Sequence, residues 1–526
     1  MTAAPRTLRA LVAGVDGARI DGSAQGDADV DVAITEVRDD SRLVGRGDLF
    51  VAVPGRTVDG GKFIGDAIAR GAAAVVVEAA SAGTRPPELA AFPGLVVLVP
   101  SARRALGAIA AARHQAAASA LTLLAVTGTN GKTTTTYIVE AMLRAAGLSP
   151  GVVGTVTYRA ARLRGGARPA PLTTPGALAL HELFAEMRDA AATDVVLEAS
   201  SQALEQGRLD GCSFRVAAMT NLTQDHLDYH GDMGQYFEAK AILFQHLVDP
   251  ARGVSVTFVD DEAGQQMRKR AKGARLGVSR TAAGAGARGA DVVVEAAELG
   301  ADGTRATLAT PVGRLPIETP LVGDYNLANL ALSVGMAVAR GVGADAIVAG
   351  ASDVAVPGRL ERVANDRDVL CVVDYAHTPD GLERAIGAMR PLTRGRLIVV
   401  FGCGGDRDPG KRPIMGEIGA RDGDLAIVTS DNPRTEDPAA IVSMILDGVR
   451  RTDARELSAD DLARADRGYH TEIDRRRAIR AAAAAARAGD VLLIAGKGHE
   501  DYQILGTTKV HFDDREEAAA ALAVRR

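Results

Sequence analysis

A chain of 526 residues is too long for one ordinary domain and points to about three or four. With 47% hydrophobic and 24% charged residues it can bury several cores, and a net charge of −5 argues against a bulk nucleic-acid or membrane-surface binder. Any anionic ligand must therefore be held by local clusters of positive groups, and three widely spaced cysteines (Cys212, Cys371, Cys403) exclude a disulfide scaffold and suit a reducing cytosol.

The first fifteen residues carry Arg6 and Arg9 but no sustained apolar core, so no secretory signal is expected. No apolar stretch approaches the roughly 20 residues that span a bilayer, so a cytoplasmic protein is expected. Apolar runs at 95–99, 121–126, 194–197, 369–373, 397–401, 425–429 and 491–495 read as strands. Ala-rich stretches at 133–146, 327–339 and 477–488 read as helices, the alanine run 481–486 included. This alternation predicts an α/β protein with largely parallel sheets. Segments 80–94, 159–171 and 280–290 read as loops. Boundaries near 117 and 356 divide the chain into three domains, 1–117, 118–356 and 357–526.

In chain order, the polar turns around Ser41 and Arg56-Thr57-Val58 would pass alone for ordinary surface loops. Gly128-Thr129-Asn130-Gly131-Lys132-Thr133-Thr134 is different, because it follows a strand and opens a helix. Glycines there let backbone N–H groups approach phosphate oxygens, with the helix N-terminus adding positive potential. Lys132 would meet the β/γ-phosphates and the Thr133 hydroxyl would bind Mg²⁺. Val126 stands where the commonest phosphate loop has its first glycine. Glu198 ends the 194–197 run, at the sheet edge where α/β proteins bind ligands. His226, within Asn221-Leu-Thr-Gln-Asp-His-Leu-Asp-Tyr-His230, could offer a neutral imidazole to a cation that prefers oxygen. Lys240 has the spacing of an exposed, salt-bridged helical lysine. Asn326 and Asn329 share a helix face and could read an adenine edge, or serve as caps.

Three further strand ends carry Arg407, then Asp431-Asn432-Pro433-Arg434, then Gly496 and Glu500. Guanidinium forks take a carboxylate while Asp431 and Glu500 accept from an ammonium, so this set suits a zwitterion. An acceptor ending in a lone ammonium would leave a buried Arg434 unpaired, at several kcal/mol.

The loop form Thr-Gly-Thr-Asn-Gly-Lys-Thr at 127–133 resembles Mur ligases and folylpolyglutamate synthetases, and the chain from about 34 to 515 is similar to the MurE branch of the Mur ligase family. The resemblance implies a small N-terminal α/β domain for a uridine nucleotide, a central P-loop ATPase-like domain and a Rossmann-like C-terminal domain. It implies Ser41, Arg56, Thr57, Val58, Thr173, Thr174, Ser200, Gln206 and Arg208 as contacts to UDP-MurNAc-L-Ala-D-Glu. It implies Asn326, Asn329, Arg359, Asp374 and His377 at ATP, Mg²⁺ at Thr133, Glu198 and His226, and a carboxylated Lys240. Gln202 stands where the family commonly has His and is given no role. The implied reaction joins meso-diaminopimelate through an acyl phosphate, by a monomer that meets neither nucleic acid nor membrane. Lysine addition, glutamate addition to a folate, or a P-loop switch that makes no bond are the competing readings; Arg434 opposes the first and the N-terminal domain the second.

Overall fold

The computed structural model describes residues 6–21, 31–55, 58–79, 89, 91–283 and 289–523. The chain separates into two compact units, one of 1–293, 309–313 and 331–350, the other of 294–308, 314–330 and 351–526.

Beside a two-stranded pair, Arg6–Thr7 with Ala33–Ile34, the first unit holds a smaller and a larger sheet. In the smaller, Arg19–Asp21, Leu95–Val99, Ala74–Glu78, Leu49–Val51 and Val37–Arg38 are neighbours in that order, parallel except for the first. In the larger, Pro150–Val153, Asp194–Glu198, Thr122–Thr127, Val216–Met219, Val254–Phe258 and Ala274–Ser279 run parallel. Leu123, Leu124, Ala125 and Val126 of its central strand are no more than 1% exposed. That burial on both faces is why parallel strands read as unbroken apolar runs. The register sets Glu198 beside Val126 and Met219 beside Thr127, so three loops leave one sheet edge together.

Segment 159–171, expected as a loop, instead carries an antiparallel edge: Thr157–Ala160 pairs with Pro150–Val153 and with Arg168–Pro169. Its glycines and arginines fit a short, polar edge that discourages further pairing. Part of the expected 80–94 and 280–290 loops lies outside the described residues. Strands Val254–Phe258, Ala274–Ser279, Val292–Gly300, Gly303–Thr310 and Gly313–Thr319 were not expected. The helix expected at 327–339 spans Asp324–Arg340.

In the second unit one sheet runs Glu361–Val363, Leu370–Asp374, Val491–Ala495, Leu397–Phe401, Leu425–Val428, Gly468–Thr471, parallel after its first strand. Pro379–Met389, Lys411–Asp422 and Pro438–Val449 bury Leu382, Met415 and Ile445 against one face. Arg475–Ala485 and Asp514–Ala523 bury Ile479 and Leu522 against the other. The alanine run is thus helix through Ala485, its small side chains giving close approach to the sheet. Arg475 and Asp514, each wholly buried, pair at 2.6 Å, and Arg475 also donates to Ala495 O and Ser430 O at strand ends. Among the described residues no helix is long and apolar enough to cross a membrane.

Candidate active site

The phosphate loop begins as its central strand ends. Gly128 (φ 141°) lies so close to the neighbouring strand end that a Cβ would stand 1.9 Å from Thr220 Oγ. Gly131 (φ 85°) turns the chain into helix Lys132–Ala145. Asn221 braces the loop from outside: its Oδ1 accepts from Asn130 N at 3.0 Å and its Nδ2 donates to Asn130 O at 3.1 Å. Thr129 Oγ1 donates to Thr223 O and lies 3.2 Å from Tyr236 Oη. Lys132 Nζ folds onto its own loop, donating to Gly128 O and Thr129 O at 2.9 Å.

Glu198 is 1% exposed at the adjoining strand end. Its Oε2 accepts from Thr133 Oγ1 at 3.1 Å and Thr155 Oγ1 at 2.9 Å, and its Oε1 from Thr155 N at 2.9 Å. One carboxylate and one hydroxyl facing each other are hard oxygen donors that fit Mg²⁺, which takes the rest of its shell from water and phosphate. His226, in a left-handed conformation (φ 53°), lies 3.6 Å from Asp225 Oδ2 with its side chain about half exposed. Burial holds its imidazole below the usual histidine range. Among the described residues no three His, Cys, Asp or Glu side chains gather as a metal cage.

Lys240 departs from its sequence expectation. It is 1% exposed, not a surface lysine, because its helix packs against the phosphate loop. Its Nζ donates to Gly128 O at 2.9 Å and sits 4.1 Å from the centre of the Tyr236 ring. Burial first, then the Lys132 ammonium, drives its pKa well below the lysine range, toward the neutral amine that can add CO₂.

The residues expected at the sugar-peptide converge. Thr174 Oγ1 donates to Glu198 O at 2.7 Å and lies 3.3 Å from Ser200 Oγ. Arg208 donates to Thr174 O and, by a fork, to Gln206 Oε1, while Gln206 Nε2 donates to Tyr229 Oη at 2.8 Å. Thr173 Oγ1 lies 3.2 Å from Thr155 Oγ1. Thr155 and Tyr229 were missed; the Gly-Thr pair just after the 150–153 strand was the available signal. Ser41 is buried at the head of the Ser41–Leu43 turn and Val58 is exposed. Arg56 and Thr57 lie outside the described residues.

In the second unit Asn326 Nδ2 donates to Val322 O at 2.8 Å, and Asn329 Nδ2 reaches Asn326 Oδ1 at 3.3 Å. Both amides are buried and joined. Asp374 accepts from Leu360 N and Ala376 N, and burial raises its pKa. Arg359 lies over the Tyr375 ring at 4.5 Å, and His377 Nδ1 lies 2.7 Å from Tyr375 O. Burial, then the Lys411 charge, holds the His377 imidazole neutral.

The three further strand ends meet in this unit. Asn432 Nδ2 donates to Glu500 Oε2 at 2.8 Å, and a Cβ on Gly496 would stand 3.7 Å from Asp431 Cγ. Asp431 is 6% exposed and its Oδ1 has no hydrogen-bond partner among the described residues, an acceptor left over in a buried place. Burial pushes Glu500 above the usual carboxylate range. Pro433 is buried, and Arg434, half-buried at φ 51°, donates to Gly405 O at 2.8 Å. A Cβ on Gly404 would stand 2.9 Å from Arg434 Nη1. Arg407 is exposed on the same loop. Lys497, given no role from sequence, is buried among Asn432, Glu500 and Asp431.

Three family models match this chain: Mur ligase family, catalytic domain, at 33–114; Mur ligase middle domain at 126–337; and Mur ligase, glutamate ligase domain, at 358–498. The chain is 46% identical over 516 residues to UDP-N-acetylmuramoyl-L-alanyl-D-glutamate–2,6-diaminopimelate ligase of Geobacter metallireducens, covering 96% of this chain and 97% of that one. It is 47% identical over 498 residues to the protein of the same name from Gloeobacter violaceus, covering 94% and 95%. A solved structure of a ligase of that name superposes with a TM-score of 0.65 at 33% identity, covering 93% of this chain and 95% of that one.

Proposed function

Because the chain belongs to the Mur ligase family, we propose that it joins meso-diaminopimelate to UDP-MurNAc-L-Ala-D-Glu at the expense of ATP, as a cytoplasmic monomer. The observation that carries the acceptor is the meeting of Arg434, Asp431, Asn432 and Glu500 at strand ends of one sheet.

A carboxylate is a poor acylating agent because its leaving group would be oxide. The D-Glu γ-carboxylate attacks the γ-phosphate, releasing ADP and forming an acyl phosphate. The acceptor amine then attacks that carbonyl, phosphate leaves, and the amine's proton is lost. Lys132, freed from its two carbonyls by the nucleotide, meets the phosphates. Thr133 and Glu198 would hold Mg²⁺, with His226 and carboxylated Lys240 as further donors; when bound, the ion neutralises charge on the transferring phosphoryl group. Asn326 and Asn329 face the adenine, and Asp374, Arg359 and His377 the ribose and phosphates. Thr173, Thr174, Ser200, Gln206 and Arg208 hold the sugar-peptide, while Ser41 and the 56–58 loop hold the uridine diphosphate. Arg434 and Arg407 offer paired N–H donors to the distal carboxylate of diaminopimelate, and Asp431 and Glu500 accept from its ammonium.

The test is purified protein with ATP, the UDP-dipeptide and a panel of amino acids, read by product mass. Arg434→Ala should weaken diaminopimelate use by roughly 10- to 100-fold, the worth of one or two charged hydrogen bonds, with little change for ATP and UDP-dipeptide. Lysine lacks the distal carboxylate and should be affected far less. Wild-type protein taking lysine as readily as diaminopimelate would overturn the acceptor assignment, and equal weakening of all three substrates would make Arg434 a structural residue.

A further inference from the structure

We propose that Lys497 is a positioning residue of the acceptor pocket, holding Asn432 and Glu500 in their binding orientation and setting a charge balance that admits an ammonium only with an accompanying carboxylate. The inference rests on the ligase reading above and adds a residue that reaches substrate through others.

Lys497 is 0% exposed. Its Nζ has three oxygens around it: Asn432 Oδ1 at 3.2 Å, Glu500 Oε2 at 3.4 Å and Asp431 Oδ1 at 3.8 Å. The Tyr502 ring centre lies 5.6 Å away on a further side. A buried ammonium persists only where paired and hydrogen-bonded, and here its partners are the residues that face the acceptor.

Two consequences follow from this geometry. The first is orientation. Asn432 Oδ1 accepts from Lys497 Nζ and from Ile504 N at 3.0 Å, so the oxygen end of the amide is committed to two donors. Its Nδ2 is thereby turned to Glu500 Oε2 at 2.8 Å. Without Lys497 the amide loses one of the two donors that fix its direction, and Glu500 loses its cation.

The second consequence is charge. Against Asp431 and Glu500 stand the buried Lys497 and, in the acceptor assignment above, Arg434 and Arg407, one positive charge in excess. A zwitterionic amino-acid head leaves that balance unchanged. A lone ammonium raises it further in a site poor in water, where an uncompensated charge is expensive. With Lys497 removed the remaining side chains are balanced, and the penalty against a lone ammonium shrinks.

The experiment measures KM for each substrate, and the preference for diaminopimelate over lysine, in wild type and Lys497→Met. The expected result is a diaminopimelate KM raised about 10- to 100-fold, as for loss of charged hydrogen bonds, with ATP and UDP-dipeptide KM values little changed. The preference ratio should narrow, with lysine use kept or improved. Lys497→Met leaves two buried carboxylates without their cation, so stability is measured beside it. The double variant Lys497→Met/Glu500→Gln removes one stranded carboxylate and returns these side chains to one positive charge in excess: it should recover stability while its diaminopimelate KM stays above that of Glu500→Gln alone, and it serves as the test if the single variant does not fold. Recovery of both together would show Lys497 to be a structural counter-ion and overturn the proposal, as would an unchanged acceptor KM or one that rises in step with the other two. No product from the wild type with any amino acid would instead remove the ligase reading itself.

Discussion

Lys240 has its amine in a dry place beside a second lysine, and both press on one backbone carbonyl, Gly128 O. Folding drives the pKa of this amine well below that of a lysine in the unfolded chain, through burial first and the Lys132 charge second. The unfolded state therefore binds more protons below the usual lysine pKa, and stability of the unmodified protein falls as pH drops through that window. Lys240→Met should flatten this dependence, seen as a melting temperature that changes less between alkaline and neutral pH. The same variant should lose activity by about 100-fold or more, in the range of removing an electrostatic contributor to the transition state. Lys240→Ala, which leaves space, should regain part of its activity with a small added carboxylate. Carbon-13 bicarbonate should give a carbamate signal in wild-type protein that is missing from either variant. A wild type without that signal, under full turnover with all substrates, would count against carboxylation.

The helix that follows the phosphate loop opens Lys-Thr-Thr-Thr-Thr, a poor start by intrinsic preference because β-branched side chains lose rotamer freedom. Tertiary burial overrides it: Thr133 to Thr136 are at most 4% exposed, and Thr136 Oγ1 donates back to Thr133 O at 2.8 Å. A local rule broken next to a ligand loop is the pattern expected of a functional element. Gly128→Ala should cost about 1–3 kcal/mol of strain and abolish nucleotide binding, since the added methyl meets Thr220 Oγ1. Gly147→Ala also has positive φ (76°) but open space around it, and should lower the melting temperature while sparing nucleotide affinity. Calorimetric titration with ATP separates the two. Strands 121–126, 194–197, 397–401 and 491–495 were legible because parallel strands buried on both faces leave no polar alternation to confuse. The 157–169 hairpin was not, since a short edge strand rich in Arg and Gly has a loop's composition. The burial of Lys240, named through the resemblance alone, was illegible for another reason: helical spacing reports a face, but not what later packs on it. The Asp431–Arg434 and Glu500 set was legible as residue types, whereas Lys497 behind it needed the third dimension.

At the scale of the molecule, three family segments, at 33–114, 126–337 and 358–498, occupy a chain that folds as two compact units. Within the second unit the Arg475–Asp514 pair ties helix Asp514–Ala523 to the strand ends that carry Asp431 and Gly496, through Ser430 O and Ala495 O. Asp514→Asn should destabilise by about 3–5 kcal/mol, the usual result of stranding one partner of a buried pair, measured by urea unfolding. It should also raise the diaminopimelate KM, because both carbonyls lose a fixed donor. The pair has a further meaning in the order of synthesis. Every strand of that sheet precedes Asp514 in the chain, yet a domain folds as a unit. The strand ends that carry Asp431 and Gly496 therefore settle only once the chain has delivered Asp514 to clamp them. A chain cut just ahead of Asp514 should keep the phosphate loop of its first unit, hold ATP less tightly for want of settled second-unit contacts, and discriminate poorly among amino acids, a decoy that binds nucleotide without the selectivity that makes it useful.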